Sequence, residues 1–188
     1  QYPTGTLMGA ERRRELVDLC RRSGRWLVED DYDSHLGSVP AVLQALAPDT
    51  VVLVGSLSKL LSPGLRLGWI VAPPGVVDRL CGLRQQTDLG VSVPIQLTVA
   101  ELITSGGLDR HLHRVRTEYR SRRLRLAATL APLSLTGAPV GVHGFVRTAK
   151  GRRLVDALGA AGVPAAVVDD ERWPGAVVSV AAYRLERT

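Results

Sequence analysis

Asparagine is absent from all 188 residues, and only two lysines, Lys59 and Lys150, stand against 22 arginines. Isoleucine occurs three times. This pattern disfavours residues with A- and T-rich codons and is that of a GC-rich gene, in which arginine is the default cation. A lysine then marks a position where arginine will not serve. Aromatic residues make up only 4% of the chain, so the core must be built from Leu, Val and Ala. No apolar run approaches the roughly 18 residues that suggest a membrane span, and no basic-then-apolar leader opens the chain. The two cysteines, Cys20 and Cys81, have no short metal-ligand spacing. They are expected to be buried apolar residues of a cytoplasmic protein, which excludes a disulfide framework or a zinc site. The chain opens on Gln1 and stops at "YRLERT" without a closing helix, and is expected to be a segment of a longer protein.

What is present is 45% hydrophobic and 22% charged, with a net charge of +6, the composition of a globular α/β protein. The positive balance invites a nucleic-acid reading, but the arginines are scattered. The densest run, "RHLHRVRTEYRSRRLRL" (110–126), places Leu112, Val115, Tyr119 and Leu126 at helical spacing with charge on the other sides. That is the solvated face of a long amphipathic helix. No aromatic interleaving or helix-turn-helix pattern accompanies it.

Along the chain, "GAERRRELVDLCRRSGRW" predicts a helix with Leu16, Leu19 and Cys20 inward, stopped by Gly24. "WLVED" and "TVVLVGS" read as short buried strands, with the short helix "VPAVLQAL" between them. "LGWIVAP" is a third apolar run. Strands alternating with helices predict a parallel-dominated α/β sheet. Three helices follow, over 75–90, 93–106 and 108–133. Then "APVGVHGFVRT", "PAAVVDD" and "AVVSVAAY" return to β pattern around the helix "GRRLVDALGAAGV", a small α+β unit. The expected division is 1–120 and 121–188.

In a parallel α/β sheet, ligands bind at the carboxyl ends of the strands. "WLVED" ends in Asp30, Asp31 and Tyr32, and "VVLVGS" in Ser56, Ser58 and Lys59. If these strands are neighbours, an Asp, a Tyr and a Lys converge on one crevice. Lysine becomes a nucleophile once deprotonated, which burial promotes, whereas arginine stays charged. A carboxylate at a strand end can hold a protonated ring nitrogen, a phenol can donate to an adjacent oxygen, and hydroxyls with an arginine can hold a phosphate. Pyridoxal phosphate asks for this set. Two other readings stay open on the residues alone. The acidic run suits a magnesium ion, although no second acidic cluster accompanies it. "SLSK" suits a serine–lysine hydrolase with Ser56 as nucleophile and Lys59 as base, although the companion motifs are missing.

On "QYPTG" (1–5), "EDDYDS" (29–34), "SLSKLLSPGLRLGWIVAP" (56–73) and "HLHRVRTEYRSRR" (111–123), the chain resembles the fold-type I pyridoxal-phosphate family, the aspartate aminotransferase fold. Within it, the chain is most similar to the aminotransferase-like domain of MocR regulators in the GntR superfamily. The resemblance implies the second half of a large cofactor-binding domain over 1–120 and most of a small α+β domain over 121–188. It implies that Lys59 forms the Schiff base, Asp30 pairs with the pyridine nitrogen and Tyr32 donates to the ring's phenolic oxygen. Ser56, Ser58 and Arg66 would hold the phosphate, and Arg184 would grip the carboxylate of an amino-acid substrate or effector. Asp31 and Asp33 are expected to be supporting loop residues. The implied function is an amino-compound-sensing regulator, homodimeric in the full-length protein, touching DNA only through a winged helix outside this chain. The alternative is a working class I/II aminotransferase, moving an amino group between an amino acid and a 2-oxo acid.

Overall fold

The computed structural model describes residues 1–37, 42–88, 90–137 and 141–181. They form two compact units, one within residues 8–112 and one within residues 113–181 together with 1–7.

The first unit is built on a three-stranded sheet, β1 (Leu27–Asp31), β2 (Val51–Ser56) and β3 (Gly68–Val71), in the order β1-β2-β3. β2 is the buried centre, with Val51, Val52 and Leu53 each at most 8% exposed. β1 pairs with it in parallel, Asp30 opposite Val54. Helix α1 (Ala10–Ser23) and the single turn α2 (Leu43–Leu46) cover one sheet face, where Val17, Leu43, Ala47 and Val51 pack with Leu27. The helical spacing of α1 puts Val17 and Cys20 inside, whereas Leu19, expected inward, is 55% exposed. Gly24 ends the helix in the left-handed region at φ 61°, where glycine carries no Cβ penalty. Glu29 receives the Leu43 and Gln44 amides at 2.9 and 3.1 Å, so a strand carboxylate starts α2.

β3 runs antiparallel to β2, Ser56 opposite Gly68 and Gly55 opposite Trp69. Residues 57–67 between them hold only a turn and the 3-10 helix Pro63–Leu65, and a parallel return needs a longer crossover. The three described strands of this sheet therefore make one parallel and one antiparallel pair. Gly55 and Gly68 let the chains approach closely. A Cβ at Gly55 would overlap the Trp69 indole, and one at Gly68 would lie 2.7 Å from the Gly55 carbonyl oxygen. Three helices follow: α3 (Pro74–Thr87), α4 (Val93–Thr104) and α5 (Gly107–Thr129). Cys81, expected buried, is exposed on α3, a helix with no buried residue.

α5 runs from one unit into the other. Its C-terminal half packs on the second sheet, in which β4 (His143–Arg147) and β5 (Ala165–Val168) both pair antiparallel with β6 (Gly175–Ser179). Leu126 of α5 and Leu130, just past its end, join Val146, Val178 and Val180, with Leu158 from α6 (Gly151–Ala160), in one apolar cluster. Arg123 is buried beside them and reaches carbonyl oxygens of Thr136 and Gly137, both at 3.0 Å, and of His143 at 3.3 Å. The arginine-rich run thus has the amphipathic shape expected of it, with one arginine turned inward as a clamp. Among the described residues, no helix is long and apolar enough to cross a membrane.

Leu126 is fully buried, whereas Leu124, two positions away, is 67% exposed. Leu126→Ala is expected to cost about 2–5 kcal/mol by removing packed atoms and leaving a cavity. Leu124→Ala should stay within about 0.5 kcal/mol. Denaturant titration of the two variants measures the difference, and equal losses would contradict this packing.

Candidate functional site

Parallel pairing brings the carboxyl ends of β1 and β2 side by side. Asp30 sits opposite Val54, so its side chain shares a sheet face with Ser56, two residues further along β2. Opposite Ser56, β3 presents Gly68, which adds no side chain. This face is open: Val28 and Ile70, which share it, are 64% and 47% exposed. The opposite face takes Glu29 and Asp31. Asp31 accepts the Ser34 amide at 3.0 Å and also the Ser34 hydroxyl, which occupies both of its oxygens in closing the loop.

The loop after β1 carries Tyr32, and the turn after β2 carries Lys59. The Lys59 Nζ lies 3.6 Å from the centroid of the Tyr32 ring, a cation–π contact. Burial lowers the Lys59 pKa, while the charges of Asp33 and then Asp30 oppose that shift. Burial raises the pKa of Asp33, against the pull of Lys59. The lysine is exposed by surface area, yet enough protein surrounds its amine for desolvation to be the largest influence.

Ser56 and Ser58 form a hydroxyl pair. The Ser56 hydroxyl donates to the Ser58 Oγ at 2.9 Å and accepts the Ser58 amide at 3.1 Å. With that donor assignment, the Ser58 hydroxyl keeps its own proton for a ligand oxygen. Arg66 is exposed and caps the 3-10 helix Pro63–Leu65 with φ 50° and ψ 35°. A side-chain-bearing residue in this left-handed region is uncommon. The Ser62 hydroxyl accepts the Gly64 amide at 3.2 Å, and the Arg66 amide reaches Pro63 at 3.4 Å, which together define the bend.

The structure therefore joins Lys59 with Tyr32 and Ser56 with Ser58, and couples Lys59 electrostatically to Asp30. Arg184 lies outside the described residues. Sequence reasoning treated Asp33 as a supporting loop residue, but it exerts the larger carboxylate influence on Lys59. No signal in "DDYD" separates its three acids, because their order along a loop does not say which way each side chain turns.

The residues fit pyridoxal phosphate. A lysine amine whose proton is loosened by burial, a carboxylate on the same sheet face, a phenol in contact with that amine, and a hydroxyl pair with a spare proton match the donors and acceptors the group requires. Among the described residues, no group of three or more His, Cys, Asp or Glu side chains could hold a metal ion.

The sequence profile of the family described as aminotransferase class I and II matches residues 1–161. The chain is 35% identical over 161 residues to the HTH-type pyridoxine biosynthesis transcriptional regulator PdxR of Corynebacterium glutamicum, covering 82% of this chain and 36% of that protein. It is 40% identical over 125 residues to the HTH-type transcriptional regulator YdfD of Bacillus subtilis, covering 64% of this chain and 26% of that one. Among solved structures, the kynurenine aminotransferase of Pyrococcus horikoshii aligns with a TM-score of 0.83 at 25% identity, over 97% of this chain and 49% of that chain. The chain thus spans about a quarter to a third of these curated relatives and about half of that enzyme.

The electrostatics predict a pH profile for Lys59 in the protein without added ligand. Acylation at Lys59, followed by peptide mass spectrometry, should have its midpoint below the ordinary lysine value of about 10.4, because burial disfavours the ammonium. Asp33→Asn should lower the midpoint further, since the carboxylate that favours the ammonium is gone. A midpoint that rises in Asp33→Asn would show that this carboxylate does not act on the amine.

Proposed function

Because this chain belongs to the aminotransferase class I and II family, we propose that it is the pyridoxal-phosphate-binding, amino-compound-sensing part of a MocR/GntR-type transcriptional regulator. The observation that carries the cofactor is the Lys59 amine held 3.6 Å from the Tyr32 ring centroid, with burial lowering its pKa. The regulatory reading is supported by the curated relatives described above, which bear regulator names at 35–40% identity. The solved enzyme is more distant, at 25%.

When bound, pyridoxal phosphate supplies a carbonyl that amines attack and a ring that withdraws electrons from the attached carbon. In this reading Lys59 would be the residue that holds the group, its Nζ giving up a proton more readily because of burial. Asp30 holds a proton on the ring nitrogen, and Tyr32 donates its phenolic proton to the neighbouring ring oxygen. The Ser58 hydroxyl, oriented by Ser56, donates to the phosphate, and Arg66 supplies the balancing positive charge. Arg184 meets the carboxylate of an amino-acid effector. Residues 1–120 are read as part of the large cofactor domain and 121–188 as the small one. The full-length protein would be a cytoplasmic homodimer that contacts DNA through a winged helix outside this chain.

In the intact protein with its native flanking sequence, added pyridoxal phosphate should give a visible absorption band, and borohydride should fix the cofactor to Lys59. Lys59→Ala should abolish both, and an unchanged spectrum in that variant would defeat the assignment. Asp30→Ala should weaken cofactor binding more than Asp33→Ala, and equal effects would mean that the wrong carboxylate has been chosen. An amine that alters operator binding without sustained amino transfer to a 2-oxo acid would support the regulator. Steady turnover would favour the aminotransferase.

Arg66 permits a separation of stability from binding. Arg66→Gly relieves a left-handed residue at a gain of about 1–2 kcal/mol, offset by about 0.4–1 kcal/mol from the freer unfolded chain. Thermal stability should therefore hold or rise, by up to about 1.6 kcal/mol, while phosphate-dependent cofactor affinity falls. A large loss of stability would show that the guanidinium serves the fold instead.

A further inference from the structure

The helix motif "HLHRVRTEYRSRR" begins at His111, and the function proposed above gives that histidine no task. Its Nε2 lies 2.8 Å from the backbone oxygen of Leu60, across 51 residues of sequence. Leu60 immediately follows Lys59. The carbonyl oxygen only accepts, so the hydrogen must sit on Nε2. Both the neutral Nε2–H tautomer and the imidazolium provide it, and the bond therefore persists whether or not the ring is protonated.

The turn that presents Lys59 carries short-range restraints of its own, among them the Ser58 amide donating to the Ser56 hydroxyl at 3.1 Å. At its start the Leu57 amide donates to Leu67 at 3.0 Å, and the Leu61 amide closes back on Leu57 at 2.9 Å. Leu57 and Leu60 point inward, 5% and 4% exposed, and with Val99 and Leu112 line an apolar cavity of about 510 Å³. Ser58 and Lys59 point outward. To these local restraints the His111 bond adds a directional one that reaches the residue after Lys59 from a distant element. On α5, Leu112, next to His111, is 7% exposed and lines the same cavity.

Resting on the reading of Lys59 as the cofactor-binding lysine, we propose that His111 is its positioning residue: by donating from Nε2 to the Leu60 carbonyl, it fixes the 57–61 turn so that the Lys59 amine stays against Tyr32. The charged and titratable groups acting on that amine are Asp30, Tyr32 and Asp33. All three come from β1 and its following loop, so the amine feels them only while the turn is held toward that loop.

The test compares His111→Leu, which keeps bulk without a donor, with His111→Gln, whose side-chain amide can donate to the same oxygen. Both are made in the intact protein with its native flanking sequence. His111→Leu should weaken pyridoxal phosphate binding about five- to tenfold, the scale of one hydrogen bond to a buried acceptor. It should also move the pH midpoint of borohydride-trapped attachment at Lys59 upward, because an amine released from its crowded position regains hydration. His111→Gln should restore both values toward those of the unaltered protein. In the absence of cofactor, amide hydrogen exchange over 57–61 should be faster in His111→Leu than in His111→Gln. Unchanged affinity and midpoint in His111→Leu would overturn the proposal, as would a glutamine variant that behaves like the leucine one. If the unaltered protein attaches no cofactor at Lys59, the functional reading fails by itself. The exchange comparison then still decides whether His111 holds the turn, and equal exchange would overturn that as well. Should His111→Leu fail to fold, the glutamine variant decides: normal affinity and midpoint support the proposal, and the loss of either overturns it.

Discussion

Parallel pairing of β1 with β2, in the register that sets Asp30 opposite Val54, is the constraint on which the site depends. Parallel strands put both carboxyl ends on the same side of the sheet, so the loop after one strand and the turn after the other open into the same space. Side chains alternate along a strand, and a one-residue slip would exchange faces. Asp30 would then turn toward α1 and α2, where Glu29 now caps α2. Asp31 would come to the open face in its place and lose Ser34. The buried run of β2 makes such a slip costly, because Val51 through Leu53 are all nearly inaccessible.

On this frame the chemistry is a competition over one proton. Burial favours the neutral amine of Lys59, while Asp33, Asp30 and the π face of Tyr32 favour the ammonium. Burial is the largest of these influences, so the amine gives up its proton more readily than an ordinary lysine. The two carboxylates moderate that loss without reversing it. A guanidinium could satisfy the same ring and carboxylates but would not deprotonate. That is the physical reason for a lysine here, in a chain that otherwise uses arginine.

Arginine serves a different purpose in the second unit. Arg123 is buried against three backbone carbonyls, and desolvation alone lowers its pKa. Its planar fork lets one side chain meet several acceptors, which suits a helix that must hold a loop and the start of β4 together. Arg122, the preceding residue, donates to the Ala181 oxygen and to Glu118. α5 therefore presents two kinds of polar anchor along its length: His111 toward the lysine turn in the first unit, and the arginine pair toward the sheet of the second.

Much of this is legible in the sequence. Continuous apolar runs located β2 and the three successive helices, because burial on both faces and helical periodicity leave distinct patterns. The rarity of lysine singled out Lys59, and the order of "EDDYDS" and "SLSK" at strand ends supplied the chemistry around it. Other features depended on contacts that no local pattern records. The antiparallel direction of β3 follows from the short connection that precedes it. Leu19 and Cys81 face solvent, since helical spacing says which residues share a side of a helix but not what lies against that side. The larger influence of Asp33 on the amine follows from how the loop turns, and the task of His111 from a bond to a residue 51 positions away. By itself, the sequence determined which groups are present and which strand end each one follows, since residue type and periodicity are local. Only the tertiary structure decided which groups face the amine, because desolvation and hydrogen bonding depend on distances between segments far apart in the chain.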